Sequence, residues 1–579
     1  MLINMDQFSI NDQAIIQILG RKPTGFESDL IKHIYYSQYL KNPIPGINKI
    51  LDQNKSDLMV DEKTQLVVGL ESKGSINSSS ALRPCTVFGT KPSLKYQSKQ
   101  SKISFAIIEN SNQQKSFISG NEHLFFLQDS KELITACRDI MDLETVIVKQ
   151  VDPSSLGNNL NSISNNKYGL DLHLSSVSKI AIFSDKNTHG VLIVADWKFS
   201  GKVKGICRKH SQSCLHLGNL KSVQFLSVSV RSKTKANLPL SVLNISAPPK
   251  STIVPTIQKE IKKDKLKNFK ELKNYSNHVL EVWKTINKQK WSVFKPQKEA
   301  IGTFSLIPGK NDFAVSIPDN IHLLKKDLKT GSRISASNAA RQLVCRGYKP
   351  VGIALVMHGD NMQNNDHVWH MQELFMGVSE ACHILRTEMF RPIITCNNKK
   401  HPSLELCAVG KRFNNSPTVN ESFLSENDFI TMLGSHRGEL NSSVYQEKIQ
   451  KQKSGSIPTV DLQMEIRVQE TVLQGIQTGL IKSAVNFSNG GLAVSLVKSL
   501  QYAEKGIGAR IHLSRKLRED EMLFGETQGM VVVSIGEKDL MEFERICMTI
   551  GVPSTTIGRV TNDNRFKFND VVNIDRKKL

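Results

Sequence analysis

An internal repeat constrains this chain more than any other feature. Gly190-Val-Leu-Ile-Val194 is a short continuous apolar run, followed by Ile206-Cys207 and then Gly218. Gly529-Met-Val-Val-Val533 is followed in the same way by Ile546-Cys547 and Gly558. The Gly-to-Cys distance is 17 residues in the first copy and 18 in the second, and Cys to Gly is 11 in both. Each copy reads as strand, amphipathic helix, strand, with a turn at the last Gly. Leu540, Phe543, Ile546 and Cys547 form the stripe that a core-facing helix needs. Two copies of one α/β unit follow, with Val194 and Val533 as equivalent strand residues.

A break separates the copies. Ala247-Pro-Pro-Lys250 stops the first unit, and a Lys-rich stretch follows it. Between Lys259 and Lys290 ten Lys face Glu260, Asp264, Glu271 and Glu281, a local excess of +6. This stretch reads as an exposed, partly helical linker with few core contacts. The second unit starts near Gly302, where Phe304–Pro308 and Phe313–Ile317 flank the turn residues Gly309-Lys-Asn-Asp312. Ser337–Cys345, Glu373–Leu385 and Glu465–Ile481 carry helical patterns, the last with Val468, Val472, Leu473 and Ile476 on one face. The fold class is α/β, mixed, in two similar halves.

With 579 residues the chain needs several domains. No apolar run approaches the roughly 18 residues of a membrane-spanning helix. The first twenty residues, with Asp6 and Asp12, read as neither a secretory signal nor a transit peptide. Nine scattered Cys without a CxxC pair indicate reduced thiols. The fifteen His show no zinc-like spacing. The expected location is cytoplasmic, with an organellar matrix as the alternative. The net charge of +22 raises a polyanion or RNA as a partner class, and no membrane.

A resemblance emerges from motifs in order. Val460-Asp-Leu, Glu465, Val468-Gln-Glu470, Gly479–Ala484, Ser488–Val494, Leu523-Phe-Gly-Glu-Thr-Gln-Gly529, Gly551-Val-Pro and Ile557-Gly-Arg-Val560 follow one another. They resemble the last domain of the phosphoribosylformylglycinamidine synthase large-subunit (PurL) family. Ala339–Gly347, Pro350, Trp369 and Gly377–Cys382 look like its third domain, and Gly438-Glu-Leu with Tyr445 like its connecting loop. Leu19-Gly-Arg-Lys-Pro23, and Glu71-Ser72 after the strand Leu66–Leu70, are similar to its beginning. The resemblance implies a pseudo-twofold duplicated PurL/PurM-type core, each half a sheet-forming domain plus an α/β domain. The expected division is an N-terminal segment 1–45, N-type domains at 46–120 and 301–425, C-type domains at 121–246 and 426–579, and a basic linker at 247–300.

The family chemistry so implied is ATP-dependent amidation of formylglycinamide ribonucleotide, with ammonia from a separate glutaminase and small accessory subunits as further partners. It needs carboxylates to hold Mg²⁺ against the triphosphate and a neutral proton acceptor. Placed by the resemblance, the two histidine positions fall on Tyr39 (Gln38 if the register slips by one) and Lys73, and a lysine is charged at neutral pH unless strongly desolvated. Substrate positions fall on Ser72 and Asp185, and nucleotide-binding positions on Gly525, Gly490 and Gly491. Metal positions fall on Glu71, Asn397 and Asn121, of which only Glu71 keeps the family's carboxylate. Leu355 stands where an ATP-site Asp belongs, and Asn486 and Asn489 replace two further Asp. Plain readings stand beside these: Glu71 as a solvated strand end, the glycines as turn formers. Glycines kept and charges lost point to selection for fold, hence to a degenerate member retained as a structural or regulatory subunit. A divergent but active synthase is the alternative. Mg²⁺ and ATP are the cofactors if activity remains, and none if it does not.

Overall fold

The computed structural model describes residues 12–41, 57–59, 64–72, 94–95, 101–109, 269–288 and 304–307 and, with short breaks, 119–244 and 310–579. The chain divides into two units, Met1–Ile253 and Val254–Leu579, each considered by itself.

The first unit opens with helices α1 (Asp12–Leu19) and α2 (Gly25–Lys41). A four-stranded sheet follows from β1 (Asp57–Met59), β2 (Thr64–Ser72), β3 (Leu94–Lys95) and β4 (Ser101–Glu109), in the order β1-β2-β4-β3. The next domain runs β5 (His123–Gln128), α3 (Leu133–Met141), β6 (Val146–Val151), α4 (Leu156–Ser164), β7 (Gly169–Leu174) and β8 (Gly190–Ala195). It continues with α5 (Ser200–Lys209), β9 (Cys214–Lys221), β10 (Phe225–Val230) and β11 (Lys233–Pro239). Its seven strands lie in the order β11-β10-β7-β9-β5-β8-β6. Side chains alternate across a strand. Leu124 and Phe126 of β5 therefore pack toward α2 and α4, and Phe125 and Leu127 toward α3 and α5. Covered on both faces, Gly190–Ala195 is buried throughout, which is why it reads as an unbroken apolar run.

The second unit begins with α6 (Ser276–Lys288). Its first sheet contains β12 (Phe304–Ile307), β13 (Lys310–Ser316), β14 (Lys349–Gly359), β15 (Glu388–Met389), β16 (Ile393–Cys396) and β17 (Ser403–Lys411). Helices α7 (Leu328–Val344) and α8 (Asn365–Ile384) belong to the same domain. The order β12-β13-β17-β14 repeats β1-β2-β4-β3.

The last domain runs β18 (Phe429–Leu433), α9 (Val444–Lys448), α10 (Leu462–Gln477), β19 (Ile481–Asn486), α11 (Gly491–Gln501), β20 (Gly508–Ile511) and α12 (Glu519–Phe524). It ends with β21 (Val531–Ile535), α13 (Leu540–Ile550), β22 (Ser554–Thr561), β23 (Arg565–Phe568) and β24 (Val572–Asp575). The strand order β19-β21-β18-β22-β20-β23-β24 matches that of the first unit strand for strand. Parallel pairing occurs at the same place in both, β7 with β10 and β20 with β23. A bulge also recurs, after Leu124 opposite Gly218 and after Ile430 opposite Gly558. The duplication read from sequence is therefore present in the topology.

Two sequence expectations need correction. Leu124 pairs with Val194 and Ile430 with Ser534, so the residue equivalent to Val194 is Ser534, one beyond Val533. The second concerns the basic linker. Within it, Ser276–Lys288 is helical as expected, but Tyr275, Val279, Val282 and Trp283 are buried against Leu492, Phe524 and Ile574. Their spacing makes an apolar stripe, and the helix is part of the second unit's core. Among the described residues no helix is long and apolar enough to cross a membrane.

Candidate functional site

A buried polar network inside the second unit is the strongest candidate. Six chain segments supply it: Asp319 and Asn320 after β13, the inner face of α7, the first turns of α10, Asn486 at the end of β19 with the turn Ser488–Gly490, Lys498 of α11, and Glu526 before β21. Arg341 of α7 and Glu465 of α10 are fully buried and form an ion pair. Burial pushes the Glu465 carboxyl above the usual range, against the pull of Arg341. The Arg341 Nε–H donates to Asn486 Oδ1 at 2.6 Å, and Gln469 donates to Glu465 Oε1 at 2.8 Å.

The same network continues through α7. Asn338 donates to Ser488 Oγ at 2.9 Å, and Ser488 in turn donates to Asp319 Oδ1. The Asn489 amide donates to the Asp319 carbonyl at 2.6 Å, and Lys498 Nζ lies 3.8 Å from Asp319 Oδ2.

The turn at 488–491 depends on its glycines. Gly490 and Gly491 have φ of +80° and +65°, which side chains with a Cβ adopt at a cost. A Cβ on Gly491 would meet Gly525 O at 2.7 Å, and one on Gly490 would meet Val494 Cγ2 at 2.3 Å. The structure thus brings Gly490, Gly491 and Gly525 together, packed against the chain itself. The Gly490 and Val444 N–H groups both donate to Glu526 Oε1 at 2.8 Å. Glu526 is fully buried, and that burial pushes its carboxyl up to about 8, with Asp319 and Glu447 adding to the rise. It is therefore mostly protonated at neutral pH.

The charges of the network balance. Arg341 and Lys498 offset Glu465 and Asp319, while Asn486 and Asn489 contribute none. Several polar atoms of these buried residues have no partner: both side-chain atoms of Asn320, Asn486 Nδ2, Asn489 Oδ1 and Arg341 Nη2. Three of these unspent atoms are donors, Asn320 Nδ2, Asn486 Nδ2 and Arg341 Nη2, and two are acceptors, Asn320 Oδ1 and Asn489 Oδ1. A hard divalent cation requires surplus anionic oxygen. Among the described residues no three His, Cys, Asp or Glu side chains form a group that could hold a metal ion by themselves.

The other residues expected from sequence fall elsewhere. Tyr39 lies near the end of α2. Glu71 and Ser72 end β2, opposite Lys102 and Ser101 of β4. Asn121 is an exposed loop residue. Its neighbour Glu122 is buried, and the Glu122 Oε2 accepts the Gly120 N–H at 2.9 Å. Leu355 is buried in β14 opposite Leu406. Lys73, Asp185 and Asn397 lie outside the described residues. Sequence reasoning gave no site role to Asp319, Asn320, Arg341, Glu465 or Glu526, although the last three belong to motifs quoted above.

Comparison with known proteins agrees with this architecture. Residues 425–571 match the family described as AIR synthase related protein, C-terminal domain. The subunit PurL of phosphoribosylformylglycinamidine synthase from Alkaliphilus metalliredigens is 25% identical over 403 residues, 66% of this chain and 54% of the relative. The corresponding subunit from Thermoanaerobacter pseudethanolicus is 25% identical over 461 residues, 74% of this chain and 62% of the relative. The matches thus span between about half and two thirds of these relatives' lengths. Among solved structures, Thermotoga maritima PurL complexed with ADP superposes with a TM-score of 0.57 at 14% identity, covering 95% of this chain and 99% of that one. The structure of PurLQS from the same organism gives 0.56, also at 14% identity and with the same coverage.

Proposed function

On the premise that this chain is a divergent member of the PurL family, we propose that it keeps the family scaffold without the amidation chemistry and serves as a structural or regulatory subunit. One observation carries this reading: the charge balance of the buried network. Asn486 and Asn489 stand where the family resemblance calls for Asp; Asn486 Oδ1 accepts from Arg341 and Asn489 Nδ2 donates to the Asp319 carbonyl. Two aspartates there would leave the network two negative charges in excess, the kind of surplus that Mg²⁺ with ATP would neutralise. With asparagine the interior is neutral without any cation. Tyr39 and Lys73 at the family's histidine positions point the same way, because neither is a neutral proton acceptor at pH 7.

A subunit of this kind works through an assembly, and a glutaminase with small accessory subunits is the partner set the family suggests. The +22 charge adds a polyanion such as RNA as a second partner class, recognisable by affinity that falls steeply with salt. Calorimetry of the purified chain with ATP and Mg²⁺ tests the central reading. We expect no Mg²⁺-dependent heat of binding. Saturable binding that requires Mg²⁺ would return the chain to the active synthases.

A further inference from the structure

The two copies of the α/β domain present the same surface element with opposite charge. In each, a single 3-10 turn leads into a helix: Trp197–Phe199 into α5, and Glu537–Asp539 into α13. From Trp197 to Lys209 the first copy carries Lys198, Lys202, Lys204, Arg208 and Lys209 and no carboxylate, a charge of +5. From Glu537 to Thr549 the second carries Glu537, Asp539, Glu542 and Glu544 against Lys538 and Arg545, a charge of −2. The buried positions agree instead, Val203 and Cys207 matching Phe543 and Cys547. The fold thus fixes the inner face of this element and leaves its outer face free to differ.

The five cations are exposed, and Trp197 is 58% exposed. The Lys202 ammonium lies 5.3 Å from the Phe199 ring centroid and that of Lys204 lies 5.9 Å from the Phe125 centroid, so aromatic faces hold both side chains. Lys209 pairs with Asp139 of α3 at 3.0 Å; among the described residues no carboxylate forms an ion pair with the other four. Asp196 is spent as the cap of the 3-10 turn, accepting the Lys198 N–H at 2.9 Å. At 3.6 residues per turn, Gly201 and Gly205 fall opposite the buried Val203 and Cys207. Lys202 and Lys209 flank this glycine crest on one side, and Lys204 and Arg208 on the other. Glycine weakens a helix interior, yet a Cβ on Gly201 or Gly205 would meet nothing within 4 Å. The second copy carries Met541 and Arg545 at these two places, and Met541 is 82% exposed. Packing therefore does not call for the glycines; a bare backbone between two rows of cations suits a ligand that lies directly on it.

We propose that α5 is a docking lane for single-stranded nucleic acid, with the phosphates along the glycine crest between the two rows of cations and a base stacked on Trp197. This rests on the polyanion reading of the net charge and names its site. Charge and an exposed aromatic ring together are what a single strand requires, because every base has a face to stack and every phosphate a charge to offset. A membrane surface is disfavoured, because the exposed positions of α5 offer lipid no apolar side chain. An acidic protein is disfavoured for the same reason, since a protein interface needs an apolar centre.

The test is fluorescence anisotropy of a labelled oligouridylate of about 12 nucleotides, titrated with the full chain over a range of salt. The logarithm of affinity should fall against that of salt with a slope of about −2 to −3, as three or four phosphate contacts on a single strand imply. Lys202→Glu with Lys204→Glu, which copies Glu542 and Glu544 of the second copy, should fold normally, weaken binding by about 10-fold or more and flatten the slope. Trp197→Ala should weaken binding by about 5-fold or more, and Trp197→Phe should restore most of it. Gly205→Leu should raise the thermal midpoint and yet weaken binding, a combination that a purely structural glycine does not give. Absence of salt-dependent binding by the parent chain overturns the polyanion reading and this site together. Binding that survives all of these substitutions keeps the polyanion reading and overturns the site. Competition by polyglutamate or by anionic phospholipid vesicles as effective as that of unlabelled oligouridylate would give the lane to another class of partner and overturn the proposal too.

Discussion

Replacing Glu526 by glutamine should remove most of the pH dependence that the buried network gives to stability. The Glu526 carboxyl titrates at about 8 in the folded chain against an ordinary 4.5, because burial penalises its charged form. A raised folded value means that its contribution to stability is complete below about 4.5 and is lost as pH rises toward 8. In that window the unfolded chain has released a proton that the folded chain still holds. The interval corresponds to on the order of 3–5 kcal/mol lost between the two limits. Glu526→Gln keeps a carbonyl oxygen for the Gly490 and Val444 N–H groups and cannot ionise. Urea unfolding followed by tryptophan fluorescence, with buried Trp283 as a reporter in the same unit, gives the stability difference between variant and parent at each pH. That difference should be small near pH 5 and grow to several kcal/mol in favour of the glutamine variant above pH 8. Parallel profiles across this range would refute the reasoning and place the Glu526 carboxylate in contact with water or a cation.

Three further outcomes follow from the packing. Arg341→Ala leaves Glu465 buried without its partner and should cost about 3–5 kcal/mol, whereas Arg341→Met with Glu465→Leu should recover most of it; denaturant midpoints decide. Trp283→Ala removes a side chain from the core of the second unit and should cost about 3–5 kcal/mol, where a solvated linker would lose almost nothing. Gly491→Ala combines a left-handed backbone with a Cβ placed 2.7 Å from Gly525 O, and should lower the thermal midpoint by several degrees, read by calorimetry.

The duplication was legible because strands covered on both faces must be continuously apolar and the helices between them must carry a stripe. Its register was missed by one residue because the reading anchored on Gly190 and Gly529, which do different things. Gly190 begins a strand where a Cβ would strike Leu127 O, while Gly529, at φ +76°, turns the chain before β21. Lysine content hid α6: Tyr275, Val279, Val282 and Trp283 form a visible stripe, but ten lysines made the stretch look solvated.

The network itself was not legible. Arg341 and Glu465 are 124 residues apart, and charged side chains read as exposed until the fold pairs them. Glu526 lies among turn residues, and nothing local announces that α11 and the start of α9 will bury it. That Asn486 and Asn489 stand where the family resemblance calls for Asp is a reading of the motif alone. Its consequence, an interior neutral without a cation, required the partners Arg341, Lys498 and Asp319.

The most direct measurement is turnover. Purified chain is supplied with formylglycinamide ribonucleotide, ATP, Mg²⁺ and ammonia, which removes any need for a glutaminase. The account predicts no amidated product above the rate without protein. Turnover that disappears in Glu71→Ala would contradict it, and would assign the proton chemistry to Lys73 or Tyr39.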